Sequence, residues 1–136
     1  MQIKRGEMIK ITDEPLLPQE IVQSLQTDES GSVVVHIGIV RPSSEGRRVV
    51  SIECQADRND GEQELSLITA EVRAGWEIQD IALCQRVGKL NLGEVILVAA
   101  VAAPHHEQAF EACKQAVERT RTMASVKKKE VLEEQN

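Results

Sequence analysis

The sequence predicts an α+β domain, and three observations lead to that class. Segments of strand length rich in Val and Ile stand among segments whose apolar residues recur at helical spacing. The two kinds do not follow the regular strand–helix–strand alternation of a parallel α/β sheet. The length of 136 residues suits one compact domain spanning 1–136.

The elements follow in order. Residues 15–26 read as a short helix, with Pro18 in its first turn and Ile21, Val22 and Leu25 on one face. A turn at 28–31 leads into SVVVHIGIVR, residues 32–41, whose β-branched content marks a buried strand. Residues 42–46 form a Pro-Ser-Gly loop, 47–55 a second strand and 57–61 another loop. Residues 62–74 read as a helix through Leu65, Ile68 and Val72, stopped by Gly75. Residues 78–87 make a third strand, the glycine-bounded stretch 88–93 a connection, and 94–103 a fourth, strongly apolar strand ended by Pro104. Residues 105–122 are the clearest helix, with Ala109, Phe110, Cys113, Ala116, Val117 and Thr120 on the 3.6 period. From Ser125 the chain turns polar, and 126–136 read as a C-terminal tail.

Composition excludes several functions. Trp76 and Phe110 are the only aromatic residues, so the core must be aliphatic and no stacking platform for single-stranded nucleic acid exists. A net charge of -6, from 22 acidic and 16 basic residues, opposes binding of a large polyanion. Yet Lys114, Arg119, Arg121, Lys127, Lys128 and Lys129 crowd the end of the chain, where a small anion could bind. The longest apolar stretch, 95–103, is too short to span a bilayer and instead suggests a surface for a homodimer. The N-terminus lacks the apolar run of a signal peptide, and Cys54, Cys84 and Cys113 form no CxxC pair. The expectation is a cytoplasmic protein without membrane or nucleic-acid partners. P-loop, GxGxxG, HExxH and GxSxG signatures are missing, and no metal or cofactor is expected.

Four groups of residues can carry chemistry. Three consecutive lysines, 127–129, ordinarily make a solvated surface; one of them held in a pocket would pair with phosphate or carboxylate and could serve as proton donor or nucleophile. His105 and His106 open the long helix, where free N–H groups attract anions, but adjacent helical residues diverge too far for a metal pair. Arg41 ends a strand just before a loop, as either a ligand contact on a rigid scaffold or a surface arginine. The cysteines sit at core positions and read as small hydrophobes rather than nucleophiles.

Taken in order and spacing, several segments resemble the large (catalytic) subunit family of molybdopterin synthase over residues 9–130. They are ITDEPL at 11–16, GSVVVHIGIVR at 31–41, Ser51-Ile52-Glu53, Trp76 after a helix, and Gln85-Arg86-Val87-Gly88 with Gly93-Glu94. His105 with Ala109-Phe110-Glu111-Ala112, and Val126 to Glu130 (VKKKE), complete the set. The resemblance implies an α+β domain of the α/β-hammerhead type, with a mixed or antiparallel sheet and flanking helices. It further implies a homodimer that binds one small ubiquitin-like subunit at each end, making a heterotetramer. The small subunit's Gly-Gly tail would carry a thiocarboxylate whose sulfur passes to cyclic pyranopterin monophosphate, giving molybdopterin, with no resident metal.

On this resemblance Lys128 and Arg121 take catalytic positions, and Arg41, His105, His106 and Lys127 contact substrate. The chain departs from the family at several places. Arg121 stands where a second lysine is expected, seven residues before Lys128; His106 replaces an arginine, Gln85 a histidine and Gln55 an aromatic residue. Arginine keeps the charge but does not readily release its proton. The alternative is therefore a non-catalytic paralogue that binds a ubiquitin-like partner or a phosphorylated metabolite.

Overall fold

A computed structural model describes residues 7–133 of the chain. The N-terminal residues read for a signal peptide, and 134–136 of the expected tail, lie outside the described residues. Along the chain run β1 (Glu7–Thr12), α1 (Pro18–Gln23), β2 (Ser32–Ile39), β3 (Ser43–Ser44), β4 (Arg47–Ala56) and α2 (Arg58–Gly75). Then come β5 (Asp80–Arg86), β6 (Gly88–Asn91), β7 (Val95–Ala103), α3 (His106–Arg121) and β8 (Val126–Leu132). The class is α+β, as the mixture of periodicities indicates.

The most apolar strands form the first sheet, ordered β1-β5-β7-β2. β1 runs parallel to β5, while β5–β7 and β2–β7 are antiparallel. Alternation then sends side chains to two faces. Ile81, Leu83, Ala99 and Val101 meet Leu65, Ile68 and Val72 of α2 and Ala112, Cys113 and Ala116 of α3. Ala82, Cys84, Val98, Ala100 and Ala102 meet Leu16, Ile21 and Leu25 around α1. The second sheet is centred on β4, which pairs with β6 and β8 and forms a short hairpin with β3. Val40, Val49, Cys54, Leu90, Ile96 and Leu97 pack where the sheets join. Trp76 fixes the end of α2 to α3, its indole Nε1 donating to Gln115 Oε1 at 2.6 Å.

The structure revises several expectations. The polar tail is a strand from Val126 to Leu132, paired antiparallel with β4 over Val49–Ala56. Backbone hydrogen bonds to a neighbour, not an apolar pattern, fix it there. The glycine-bounded connection contains β6, whose Leu90 is fully buried. Residues 7–12 form the edge strand β1, which had no assignment. α1 is shorter than 15–26 at both ends, starting at Pro18 and capped at Ser24. The supposed loop 57–61 is the cap and first turn of α2, since the Asp57 carboxylate accepts from Asp60 N at 3.0 Å. The apolar stretch 95–103 is no exposed interface: as β7 it lies inside the sheet, with Ile96 to Ala103 all buried. A row of exposed aliphatic residues lies instead on β2, at Val33, Val35, Ile37 and Ile39, and among the described residues the outer edge of that strand is unpaired.

Gly61 shows why a glycine sits in the first turn of α2. A Cβ there would stand 2.8 Å from Cγ1 of Ile11, itself buried in β1. Ala normally favours a helix over Gly, but here the neighbour cannot move aside. Gly61→Val is expected to destabilise the fold by about 1–3 kcal/mol through overpacking, read as a lower urea midpoint.

Candidate active site

Side chains from separate elements converge on a cleft of about 400 Å³. Arg41 comes from just beyond β2, Arg121 from the last turn of α3, and Lys128 from β8. Ile39, Ile52, Ile96 and Leu97 supply apolar walls, and Glu130 brings one carboxylate to the lining. Cations before a partly apolar wall bind an anion more strongly than they would in open water. Gly38 keeps the floor low: a Cβ there would come within 3.4 Å of Leu97 Cβ.

Strand alternation sorts the three lysines. Lys128 lies opposite Cys54 of β4 and, with Glu130, lines the cleft. Lys127 and Lys129 lie opposite Gln55 and Glu53, and these four residues border a separate hollow of about 110 Å³, which Lys128 also touches. Lys127, expected beside Lys128 in contact with substrate, thus lines the smaller hollow and not the cationic cleft.

The lysine strand is anchored at its start. Glu64 of α2 accepts hydrogen bonds from Ala124 N at 3.0 Å, from Ser125 N at 2.9 Å and from the Ser125 hydroxyl. Burial acts to raise its pKa, but these bonds and the charge of Arg119 together hold it below the ordinary carboxylate value.

The histidine pair is not part of this cleft. His105 is the N-cap residue of α3, makes no side-chain capping bond and is exposed. Exposed His106 places Nδ1 2.9 Å from Glu107 Oε1. Arg121 stands at the other end of a 16-residue helix, so the histidines lie about 24 Å from it along the axis. Within one chain, helix length separates the two parts of the expected site.

Other residues of the resemblance have packing roles. Gln85 is buried in β5, its amide donating to Ile96 O at 3.2 Å and Arg86 O at 3.0 Å. Arg86 pairs with Glu94 at 3.1 Å, and Glu94 also accepts from Asn91 N, closing the turn after β6. All three cysteines are buried; burial pushes the Cys84 and Cys113 thiols up to about 11 and raises that of Cys54. Among the described residues no group of His, Cys, Asp and Glu could hold a metal ion, and no helix is long and apolar enough to cross a membrane.

Sequence reasoning missed His36. It sits in the middle of an apolar strand, where its neighbours suggest only a core position. The period-two pattern carried the signal, since it puts His36 on the face shared by Val34 and Gly38. Its side chain lines the cleft and also a neighbouring groove of about 430 Å³ against α3. Burial, and then the Arg121 charge, lower its pKa below 6.5.

Two sheets, a helix-backed mixed core and a cleft lined by Arg41, Arg121 and Lys128 at the sheet junction define an α+β domain with a cationic cleft. The sequence profile of the MoaE protein family matches residues 11–123, and the chain belongs to that family. It is 34% identical over 128 residues to the molybdopterin synthase catalytic subunit of Bacillus subtilis, covering 94% of this chain and 82% of that protein. A crystal structure of molybdopterin synthase from Staphylococcus aureus superposes with a TM-score of 0.87 at 26% identity, covering 98% of this chain and 96% of that one. At 14% identity, a chain from a protein–protein complex of subunits 1 and 2 of the Helicobacter pylori molybdopterin-converting factor has the same fold. Its TM-score is 0.73, with 90% of this chain and 84% of that one covered.

Two outcomes follow from this geometry. Glu64→Gln should accelerate amide exchange across 126–132 at neutral pH. In the wild-type protein the anchor should hold above the ordinary carboxylate value and fail as pH falls through the lowered one. Separately, iodoacetamide at about pH 8 should leave all three cysteines of the folded protein unmodified, with mass shifts appearing only after denaturation.

Proposed function

We propose that this chain is the catalytic subunit of a molybdopterin synthase. It moves sulfur from the C-terminal thiocarboxylate of a small ubiquitin-like subunit to cyclic pyranopterin monophosphate. The observation carrying this reading is the convergence of Arg41, Arg121 and Lys128 on one partly apolar cleft in a member of the MoaE family. The substrate phosphate and the tail thiocarboxylate are both anions and must share a site, which a cluster of cations permits. Arg41 and Arg121 act as fixed charges. Lys128 is the cation that can donate and accept a proton during reaction, a role guanidinium fills poorly.

The partner is a small subunit whose Gly-Gly tail reaches the cleft, giving a heterotetramer around a homodimer in the cytoplasm. The Helicobacter pylori structure, a complex of subunits 1 and 2 of the molybdopterin-converting factor, supports a partner subunit. The exposed aliphatic face and free edge of β2 offer a surface for a second copy. A second copy also answers the separation along α3: His105 and His106 of one protomer can serve a cleft on the other. Lys127, facing the smaller hollow, contributes charge near the tail entrance.

Arg121 favours a second reading. If the reaction needs two titratable amines, this chain binds the partner or a phosphorylated metabolite without catalysis. Purified chain, thiocarboxylated small subunit and pterin precursor, scored for molybdopterin, separate the readings. Lys128→Ala should lower turnover on the order of 10²–10⁴-fold with the fold intact, as expected for loss of a positioned acid–base group. Lys128→Arg should fail to restore it, and Arg121→Lys should equal or exceed wild type. Wild-type turnover in Lys128→Ala refutes the role of Lys128. Product from Arg121→Lys with His106→Arg, but none from wild type, establishes the non-catalytic reading.

A further inference from the structure

We propose that His36 is a further ligand-contacting residue of the cleft, an imidazole that takes up a proton when a phosphate-type anion binds between it, Arg121 and Lys128. The inference rests on the anion-binding reading of the cleft but does not require synthase activity.

Placement comes first. His36 is the only described residue besides Arg121 that lines both the cleft and the groove beside α3. Its ring lies along β2 over Gly38: Nε2 stands 3.6 Å from where a Cβ of Gly38 would be. That missing side chain leaves the ring edge open to the cleft. The backbone of His36 is fixed opposite Ala99 of β7 and meets the Cys113 thiol, so the residue cannot swing away with its strand.

The charged surroundings decide its protonation. Lys114, Glu118 and Arg121 face it from α3, Lys128 and Glu130 from β8, and Arg41 from beyond β2. β7 adds only the apolar Ile96 and Leu97 to the lining. Partial burial and Arg121 keep the free imidazole mostly neutral at neutral pH. A bound dianion reverses the balance: it cancels the Arg121 charge felt by the ring and offers an acceptor for a new N–H. The pKa must then rise, and by linkage the anion binds more tightly to the protonated form.

The consequence for chemistry is specific. Arg121 holds charge but does not exchange protons, so a neighbouring group that changes protonation on binding supplies what arginine lacks. His36 thereby arrives at the bound complex as an imidazolium and returns to its neutral resting state when the anion leaves.

Sulfate is the suitable probe, because it stays a dianion across the range in which imidazole titrates. The His36 ring should be followed by ¹⁵N NMR with and without saturating sulfate, and sulfate affinity by calorimetry between about pH 5.5 and 8. Wild type should show a His36 pKa below 6.5 that rises by about one unit with sulfate, and affinity should approach tenfold tighter at the acid end. His36→Gln should still bind sulfate through the cations, with the pH dependence lost. An unmoved His36 resonance, undetectable sulfate binding, or an undiminished pH dependence in His36→Gln overturns the proposal. Should the variant fail to fold, the wild-type resonance alone decides. A wild-type protein that makes no molybdopterin yet couples sulfate to His36 removes the enzyme reading and upholds this one. An active protein with pH-independent sulfate affinity does the reverse.

Discussion

The pairing register between β8 and β4 is the constraint on which the cleft depends. Side chains in a strand alternate, so a slip of one residue would turn Lys128 away and present Lys127 or Lys129 instead. Three identical side chains in a row cannot specify that register themselves. It is imposed from outside, by the Glu64 carboxylate gripping Ala124 and Ser125 and by partial burial of Val126, Val131 and Leu132 at the two ends of the strand. The most highly charged of the described strands is thus held by its ends, leaving its middle free to carry that charge.

A second constraint acts through α3. The helix buries Ala109, Ala112, Cys113 and Ala116 against the sheet and so is fixed along its length. Its C-terminal turn delivers Arg121 to the cleft, and its N-terminus carries the histidines far away. Rigid packing that positions one end also guarantees that the other cannot fold back. Within one chain the histidines therefore cannot reach the cleft that Arg121 lines.

What could be read from the sequence followed from the strength of local patterns. β2, β7 and α3 were legible because β-branched runs and a 3.6-residue period are direct records of burial. β8 was not, since its residues 127–130 are exposed and its existence depends on backbone pairing with β4, which leaves no mark in composition. The start of α2 looked like a turn because Asp57-Arg58-Asn59-Asp60-Gly61 is turn chemistry, yet the same Asp57 carboxylate, accepting from Asp60 N, serves equally as a helix cap. At the site, Arg41 and the lysine run stood out by position and charge, the resemblance picked Lys128 and Arg121, and the fold brings Arg41, Arg121 and Lys128 to one cleft. His36 was hidden by its apolar neighbours, and Gln85, conspicuous as a departure, turned out to satisfy its own hydrogen bonds inside the sheet.

The near-absence of aromatic residues has an optical consequence. Trp76 is the single indole in the chain, fastened to Gln115 at the seam between α2 and α3 and partly shielded from water. Its emission therefore monitors that helical seam, and it lines neither the cleft nor the neighbouring groove. Unfolding should be bright and unambiguous in fluorescence, with no second indole to blur it. Occupancy of the cationic cleft by a small anion should leave the same signal almost dark, so the protein carries a built-in gauge of integrity that is blind to its ligand.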